Sequence, residues 1–204
     1  MKQFPSIPHV EGFHGQPCIA FYKYDGSNLR FEWSKKRGWY KFGTRQRMFD
    51  KTDEVFGEAI DVFLNTYGSS LPEVFKKDKL FRNAQQVIAF VEFFGERSFA
   101  GQHIDGDPKK VVLIDVNIHK RGIISPHEFV ESFGHLPVAQ ALYQGPLTPS
   151  FETAVRKGEI PNLNEGVICK GGSGHKLWMC KIKTDAYREK LKQVYADRWQ
   201  EFWE

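Results

Sequence analysis

The chain has few of the residues from which covalent or metal frameworks are built. Its 204 residues include three cysteines, Cys18, Cys169 and Cys180, and no CxxC pair. An odd, widely spaced set makes neither a disulfide framework nor a cysteine zinc site. Buried thiols in a reducing, intracellular compartment are expected, even if a hairpin brings Cys169 and Cys180 together. The seven histidines show no HExxH or comparable ligand spacing, which argues against structural zinc. No apolar stretch approaches the roughly 18 residues of a membrane span, and the N-terminal MKQFPSIPHVEGFHG lacks an apolar signal core. A cytoplasmic protein without membrane contact is the expectation. Internal repeats and low-complexity tracts are also missing. So is a P-loop: Gly172-Ser173-Gly174-His175-Lys176-Leu177 does not supply GxxxxGK followed by Ser or Thr, so a kinase-type phosphate cradle is not indicated.

What the chain does have is core-forming material. Hydrophobic residues make up 41% and aromatics 15%, with 18 phenylalanines, which describes an ordinary folded protein. Its length suits one domain with a small appendage. A formal net charge of +4 suits a polyanionic partner without demonstrating one.

Hydrophobic patterning sets out the elements. Strand formers run from Cys18 to Lys23, and Asn28 to Trp33 and Trp39 to Thr44 read as a strand pair. Asp53 to Tyr67 has the period of a helix, with Phe56, Ile60, Phe63 and Tyr67 on one face, and a second helix is expected over Pro72 to Asn83. Val87 to Phe94 and Val111 to Ile118 read as mostly buried strands. Ser125-Pro126-His127-Glu128 starts a helix with an N-cap, a proline at the first position and a glutamate three residues after the cap. A short helix follows Thr148-Pro149. Glu165 to Lys170, the turn Gly171 to Gly174, and Lys176 to Lys183 read as a hairpin. A closing helix is expected from Thr184 to Trp203. Strands mixed with helices, and several hairpins, predict an α+β fold with largely antiparallel sheets. The expected organisation is a domain over 1–183 with a C-terminal helix over 184–204 packed on it.

Several residues invite chemistry. In Lys23-Tyr24-Asp25-Gly26-Ser27-Asn28 a lysine ends an apolar strand before a tight turn. Desolvation and nearby cations would favour its neutral, nucleophilic amine; the alternative is a surface lysine beside a hairpin turn. A turn centred near Ser173 would set Glu165 opposite Lys181, with Lys183 on the same face by strand alternation. The alternative there is an exposed cross-strand ion pair, which contributes little. Glu92 interrupts the apolar strand VIAFVEFFG, where a carboxylate is costly unless partnered. It would accept a ribose hydroxyl or neutralise Arg45, or lie on a wet sheet face. Asp105 and Asp107 fit an Asx-type turn better than a metal site. Basic clusters at Lys35-Lys36-Arg37, Lys76-Lys77-Lys79 and Lys120-Arg121 suit a phosphate backbone, or are solvated surface.

Taken in order, these pieces resemble the covalent nucleotidyltransferase superfamily, which includes ATP-dependent DNA ligases, RNA ligases and mRNA capping enzymes. The KxDG motif is matched by Lys23, Asp25 and Gly26, and the downstream arginine motif by Arg45. The acidic strand followed by glycine is similar to Glu92-Phe93-Phe94-Gly95, the EGxV motif to Glu165-Gly166-Val167-Ile168, and KxK to Lys181-Ile182-Lys183. The resemblance spans Cys18 to Lys183. It implies an ATP-grasp-like nucleotidyltransferase domain of ligase type. It also implies that Lys23 attacks the α-phosphate of ATP to form lysyl-AMP, with Lys181 and Lys183 on the phosphate. Glu165 would position Mg2+ or Mn2+, Glu92 would hold the ribose, and Asn28, Arg45, Tyr22 and Tyr24 would flank the nucleotide. Ile114 stands before Asp115, where the family commonly stacks an aromatic residue on adenine.

Lys-Tyr-Asp-Gly is similar to DNA ligases, and the RNA ligase 2 pattern often has His where Asp25 stands, whereas Gly26-Ser27-Asn28 looks more like RNA ligases and the chain as a whole resembles the catalytic domain of the RNA ligase 2-like family. Only 21 residues follow Lys183, too few for the OB-fold domain that DNA ligases and capping enzymes append. The expectation is therefore an RNA ligase-like catalytic domain joining RNA 5′-phosphate and 3′-hydroxyl ends, with a trans-acting partner standing in for a C-terminal domain. A minimal ATP-dependent DNA ligase acting on DNA ends is the second candidate. A non-catalytic nucleic-acid-binding module is the third, and the chemistry-bearing Lys23, Glu165, Lys181 and Lys183 argue against it.

Overall fold

A computed structural model describes residues 1–96 and 106–203. In chain order its strands are β1 (Pro17–Lys23), β2 (Ser27–Ser34), β3 (Gly38–Thr44), β4 (Met48–Phe49), β5 (Gln86–Phe94), β6 (Lys110–Ile118), β7 (Gly122–Ile123), β8 (Ala141–Pro146), β9 (Gly166–Gly171) and β10 (Trp178–Lys183). Its helices are α1 (Gly57–Tyr67), α2 (Ser70–Lys77), α3 (Pro126–Phe133), α4 (Pro149–Arg156), α5 (Asp185–Tyr195) and α6 (Gln200–Trp203). All named strand pairs are antiparallel, as expected for the α+β class. Asp105 lies outside the described residues.

The chain divides into two compact units. The first comprises Met1–Pro5 and Asp25–Val138 and carries a six-stranded sheet in the order β4-β3-β2-β5-β6-β7. Alternation along β2 sorts its faces. Leu29, Phe31 and Trp33 are buried toward the helices, where Phe31 stacks on Phe63 at 3.8 Å and Trp33 meets Phe75 at 5.3 Å. Asn28, Arg30 and Glu32 point the other way, toward the N-terminal segment. There Phe4 packs on Phe90, and the Arg30 guanidinium donates to the Met1 carbonyl at 2.9 Å. Tyr67 ties α1 to β6: its hydroxyl accepts from the Leu113 amide at 2.9 Å and donates to the Pro137 carbonyl.

Two helices differ from their expected bounds. α1 begins at Gly57 rather than Asp53, because the Asp53 carboxylate accepts from the amides of Val55 and Phe56 and holds a turn instead. α2 begins at Ser70 and stops at Lys77, and Asp78 then caps a separate 3₁₀ turn over Lys79–Phe81. α3 starts as its sequence predicts: Ser125 and Glu128 form a reciprocal capping box with proline in the first turn.

The second unit comprises Ser6–Tyr24 and Ala139–Glu204. Its four-stranded sheet runs β10-β9-β1-β8. One face is the apolar core of the unit, built from Cys18, Ala20, Val167, Cys169, Cys180 and Ile182 with Val10, Leu147 and Val155. All three cysteines are free thiols in it. The β9–β10 register differs from the expected one: Lys181 faces Ile168, and Lys183 faces Gly166. A 3₁₀ turn over Gly174–Lys176 lengthens the connection, so the strands pair farther from Ser173. The closing helix is also not continuous. Ala196 adopts φ 44°, a left-handed value that ends α5, and a 3₁₀ turn and α6 follow.

Candidate active site

The face of the four-stranded sheet opposite its core carries the lysines. Register places Lys23, Gly166 and Lys183 in one row across β1, β9 and β10, and Phe21, Ile168 and Lys181 in the next. Gly166 has φ 150°, and a Cβ there would sit 2.0 Å from the Ile182 carbonyl oxygen. Only glycine fits between the two lysines at this approach of β9 to β10.

Glu165 enters immediately before that row. Its backbone is fixed by Thr184, whose amide donates to the Glu165 carbonyl at 2.9 Å and whose hydroxyl donates to the Asn164 carbonyl at 2.8 Å. Thr184 is also the N-cap of α5, so the helix start and the glutamate share one anchor. The buried Glu165 side chain places Oε1 2.8 Å from Lys23 Nζ and 3.4 Å from Lys183 Nζ. The expected grouping of Glu165 with Lys183 therefore survives the changed register, because Glu165 reaches in from the strand end rather than from a position opposite Lys181.

The lysines differ in environment. The Lys23 side chain keeps 22% of its exposure, against 3% for Lys183, so Lys23 is the accessible amine. Lys183 Nζ also donates to the Phe202 carbonyl at 3.0 Å and lies over the rings of Tyr187 and Trp203. Burial pushes its pKa from 10.5 down to about 8; Glu165 opposes the fall, and Lys23 and Lys181 add to it. The Lys181 amide donates to the Pro8 carbonyl at 2.9 Å. Burial, then Lys181, lowers the pKa of neighbouring His9. Tyr22 and Tyr24 pack ring to ring at 4.7 Å on either side of Lys23 in sequence. One lysine on this face escaped the sequence reading. Lys170 is buried over the Phe21 ring at 4.9 Å, and strand alternation from Gly166 would have located it.

The remaining predicted residues belong to the first unit. Asn28 and Glu92 are direct register partners on β2 and β5. Gly26 lies so close to Phe93 that a Cβ would meet its carbonyl oxygen at 2.4 Å. Ile114 is the residue inserted by a bulge in β6 opposite Phe90 and Val91. Arg45 is exposed in the turn between β3 and β4.

Among the described residues no group of three His, Cys, Asp or Glu side chains is arranged to hold a metal ion. A single carboxylate beside two lysines fits only a divalent cation that takes most of its ligands from other oxygen donors and water. No helix among the described residues is long and apolar enough to cross a membrane.

No protein-family model matches the chain, and no curated protein matches it in sequence. The fold is that of the nucleotidyltransferase domain of RNA ligases, and solved structures carry this statement. The chain is similar to a mutant RNA ligase of Naegleria gruberi in apo form, with TM-score 0.68 and 18% identity, covering 95% of this chain and 58% of that one. A second mutant of that ligase, with ATP and Mn, gives TM-score 0.67 and 17% identity over 93% and 58% of the two chains. An archaeal ATP-dependent RNA ligase gives TM-score 0.67 and 15% identity over 95% and 52%. The chain thus spans little more than half the length of these structures.

Proposed function

We propose that this protein is an ATP-dependent RNA ligase-type nucleotidyltransferase that carries AMP on Lys23. The observation that supports it most is the Lys23–Glu165–Lys183 cluster, an accessible amine beside a buried carboxylate and a buried cation on one sheet face. The neutral Lys23 amine attacks the α-phosphorus of ATP. The N–P bond forms, the bond to the pyrophosphate oxygen breaks, and the amine releases a proton to solvent. Lys183 and Lys181 stabilise the charge that grows on the phosphoryl oxygens. Glu165 would hold Mg2+ or Mn2+, which neutralises the phosphates. Nucleotide contacts from Asn28, Arg45, Glu92 and Ile114, with Tyr22 and Tyr24 beside the lysine, are part of the same proposal. AMP then passes to a nucleic-acid 5′-phosphate, and attack by a 3′-hydroxyl forms the phosphodiester and releases AMP.

Incubation with ATP labelled at the α-phosphate, followed by denaturing electrophoresis, is the test. Covalent label that disappears in Lys23→Ala is expected; no label, or equal label in the variant, refutes the enzyme reading. GTP in place of ATP tests a capping-type activity. Nicked RNA, nicked DNA and single-stranded RNA with 5′-phosphates then identify the acceptor, and sealing of nicked DNA alone would refute the choice of RNA.

A further inference from the structure

The first unit contains a polar cavity that the nucleotidyl-transfer chemistry leaves unused. It has a volume of about 560 Å³ and opens on the sheet face that carries Arg30 and Glu32, a size suited to one nucleotide unit. One ladder row crosses its floor: Lys41 on β3 faces Glu32 on β2, Glu32 faces Ile88 on β5, and Ile88 faces Asn117 on β6. The floor is rich in acceptors. Glu32 is 6% exposed and accepts a hydrogen bond from the Tyr40 hydroxyl, which in turn accepts from Gln86. Asn117 is 4% exposed, and its Oδ1 has no hydrogen-bond partner among the described residues. A buried amide oxygen left without a donor is destabilising.

The rim has the opposite character. Lys2, Lys41, Lys120 and Arg121 line the cavity against the single carboxylate of Glu32. Arg121 is already paired with Glu128, which leaves the three lysines as the main source of positive potential. Lys120 is held at φ 67° in the tight turn from β6 to β7. Acceptors inside and cations at the mouth call for a ligand that inserts a hydroxyl and leaves anionic groups outside. A sugar phosphate has that form.

We propose that this cavity binds a ribose-phosphate unit of an RNA strand. The ribose 2′-hydroxyl donates to the Asn117–Glu32 floor, and the flanking phosphates lie against Lys2, Lys41 and Lys120. The choice of RNA over a free sugar phosphate rests on the ligase-type reading above. The cavity then distinguishes RNA from DNA by the one group that separates them.

Equilibrium binding of a labelled 5′-phosphorylated RNA oligonucleotide, the same sequence as DNA, and RNA with single 2′-deoxy substitutions tests it. RNA should bind roughly threefold to tenfold tighter than DNA, the range of one net hydrogen bond. The Lys41→Ala/Lys120→Ala variant should weaken RNA binding roughly tenfold and flatten the plot of log affinity against log salt by about 1.4. Asn117→Leu should erase the RNA preference while DNA binding stays. Wild-type affinity and salt slope in the double-lysine variant would overturn the site. If Asn117→Leu does not fold, the deoxy-substituted RNAs decide on the wild-type protein: no loss at any position overturns the sugar contact. Ribose 5-phosphate bound at the cavity with RNA affinity unchanged in the double-lysine variant would make it a small-molecule site and overturn the RNA assignment. Self-adenylation, scored in the same proteins, separates this inference from the catalytic one. Normal labelling with unchanged RNA binding sinks the cavity alone, whereas absent labelling with lysine-dependent RNA binding sinks only the chemistry.

Discussion

Replacing Glu165 with Gln should destabilise the protein in a way that depends on pH. The carboxylate oxygen lies 2.8 Å from Lys23 Nζ and 3.4 Å from Lys183 Nζ, so the substitution removes the negative charge that the two lysines share. Lys183 supplies the magnitude, because its folded pKa of about 8 lies below its ordinary 10.5. The folded state holds that proton less well than the unfolded chain does. Stability is therefore lowest below pH 8 and recovers as pH climbs from about 8 toward 10.5. At about 1.4 kcal/mol per pKa unit, the charged Lys183 costs about 3 kcal/mol at neutral pH. Without Glu165 its pKa falls further, but the cost has a ceiling, since the lysine can discard its proton. At pH 7 that ceiling is about 5 kcal/mol.

Through Lys183 alone, Glu165→Gln thus costs on the order of 1 kcal/mol at pH 7 and about 3 kcal/mol at pH 6. Above pH 8, where Lys183 is neutral in both proteins, the difference vanishes. Effects of the substitution that do not titrate offset the two proteins by a constant amount. The diagnostic is therefore the change with pH rather than the level at any single pH. Urea unfolding of both proteins at pH 6, 7 and 9, with a chelator present, measures it. A stability difference that is flat across this range, or that grows toward pH 9, refutes the electrostatic account of the cluster.

Three further outcomes follow from the geometry. The rate of self-adenylation should fall as pH rises through about 8, where Lys183 loses its charge, and Lys183→Arg, which keeps a charge, should move that alkaline limb upward; an unmoved limb excludes Lys183 as its source. Gly166→Ala should cost at least roughly 2 kcal/mol in urea unfolding, since a Cβ at positive φ would strike the Ile182 carbonyl; near wild-type stability would mean that β9 and β10 do not approach this closely. Tyr67→Phe should cost about 0.5–1.5 kcal/mol, because the Leu113 amide and the Pro137 carbonyl lose the bridging hydroxyl but keep their own longer bond at 3.3 Å, and a loss well above that range would mean the direct bond does not hold the two groups.

The strands that bury apolar residues were legible from alternation and β-branched content, as β2, β5 and β6 illustrate. α3 was legible because its cap is written in four residues. β8 was not: it lies at the edge of its sheet, and most of its side chains are exposed or half-buried, so no periodic apolar signal marks it. The β9–β10 register was hidden because four residues with three glycines look like a complete turn, whereas the chain adds a 3₁₀ turn before pairing. The ends of α2 and α5 were hidden because the Asp78 carboxylate caps a new 3₁₀ turn inside what reads as one continuous helix, and Ala196 ends α5 through its positive φ rather than through any polar group. Lys23, Glu165 and Lys183 were legible as a group because ordered motifs carry that information independently of register. Lys170 was missed because it completes no motif.

The three strands β1, β9 and β10 carry lysines on one side and packed thiols and aliphatics on the other. This arrangement bears on which genetic changes the protein can tolerate. A point substitution alters one side of the ladder at one position. Deleting a single codon within β9 would send every later residue of that strand to the opposite side, moving Lys170 into the core and Cys169 onto the lysine face. Variation in these strands should therefore accumulate by replacement and almost never by change of length, while the β9–β10 connection, whose insertion the register has already absorbed, is where length can drift.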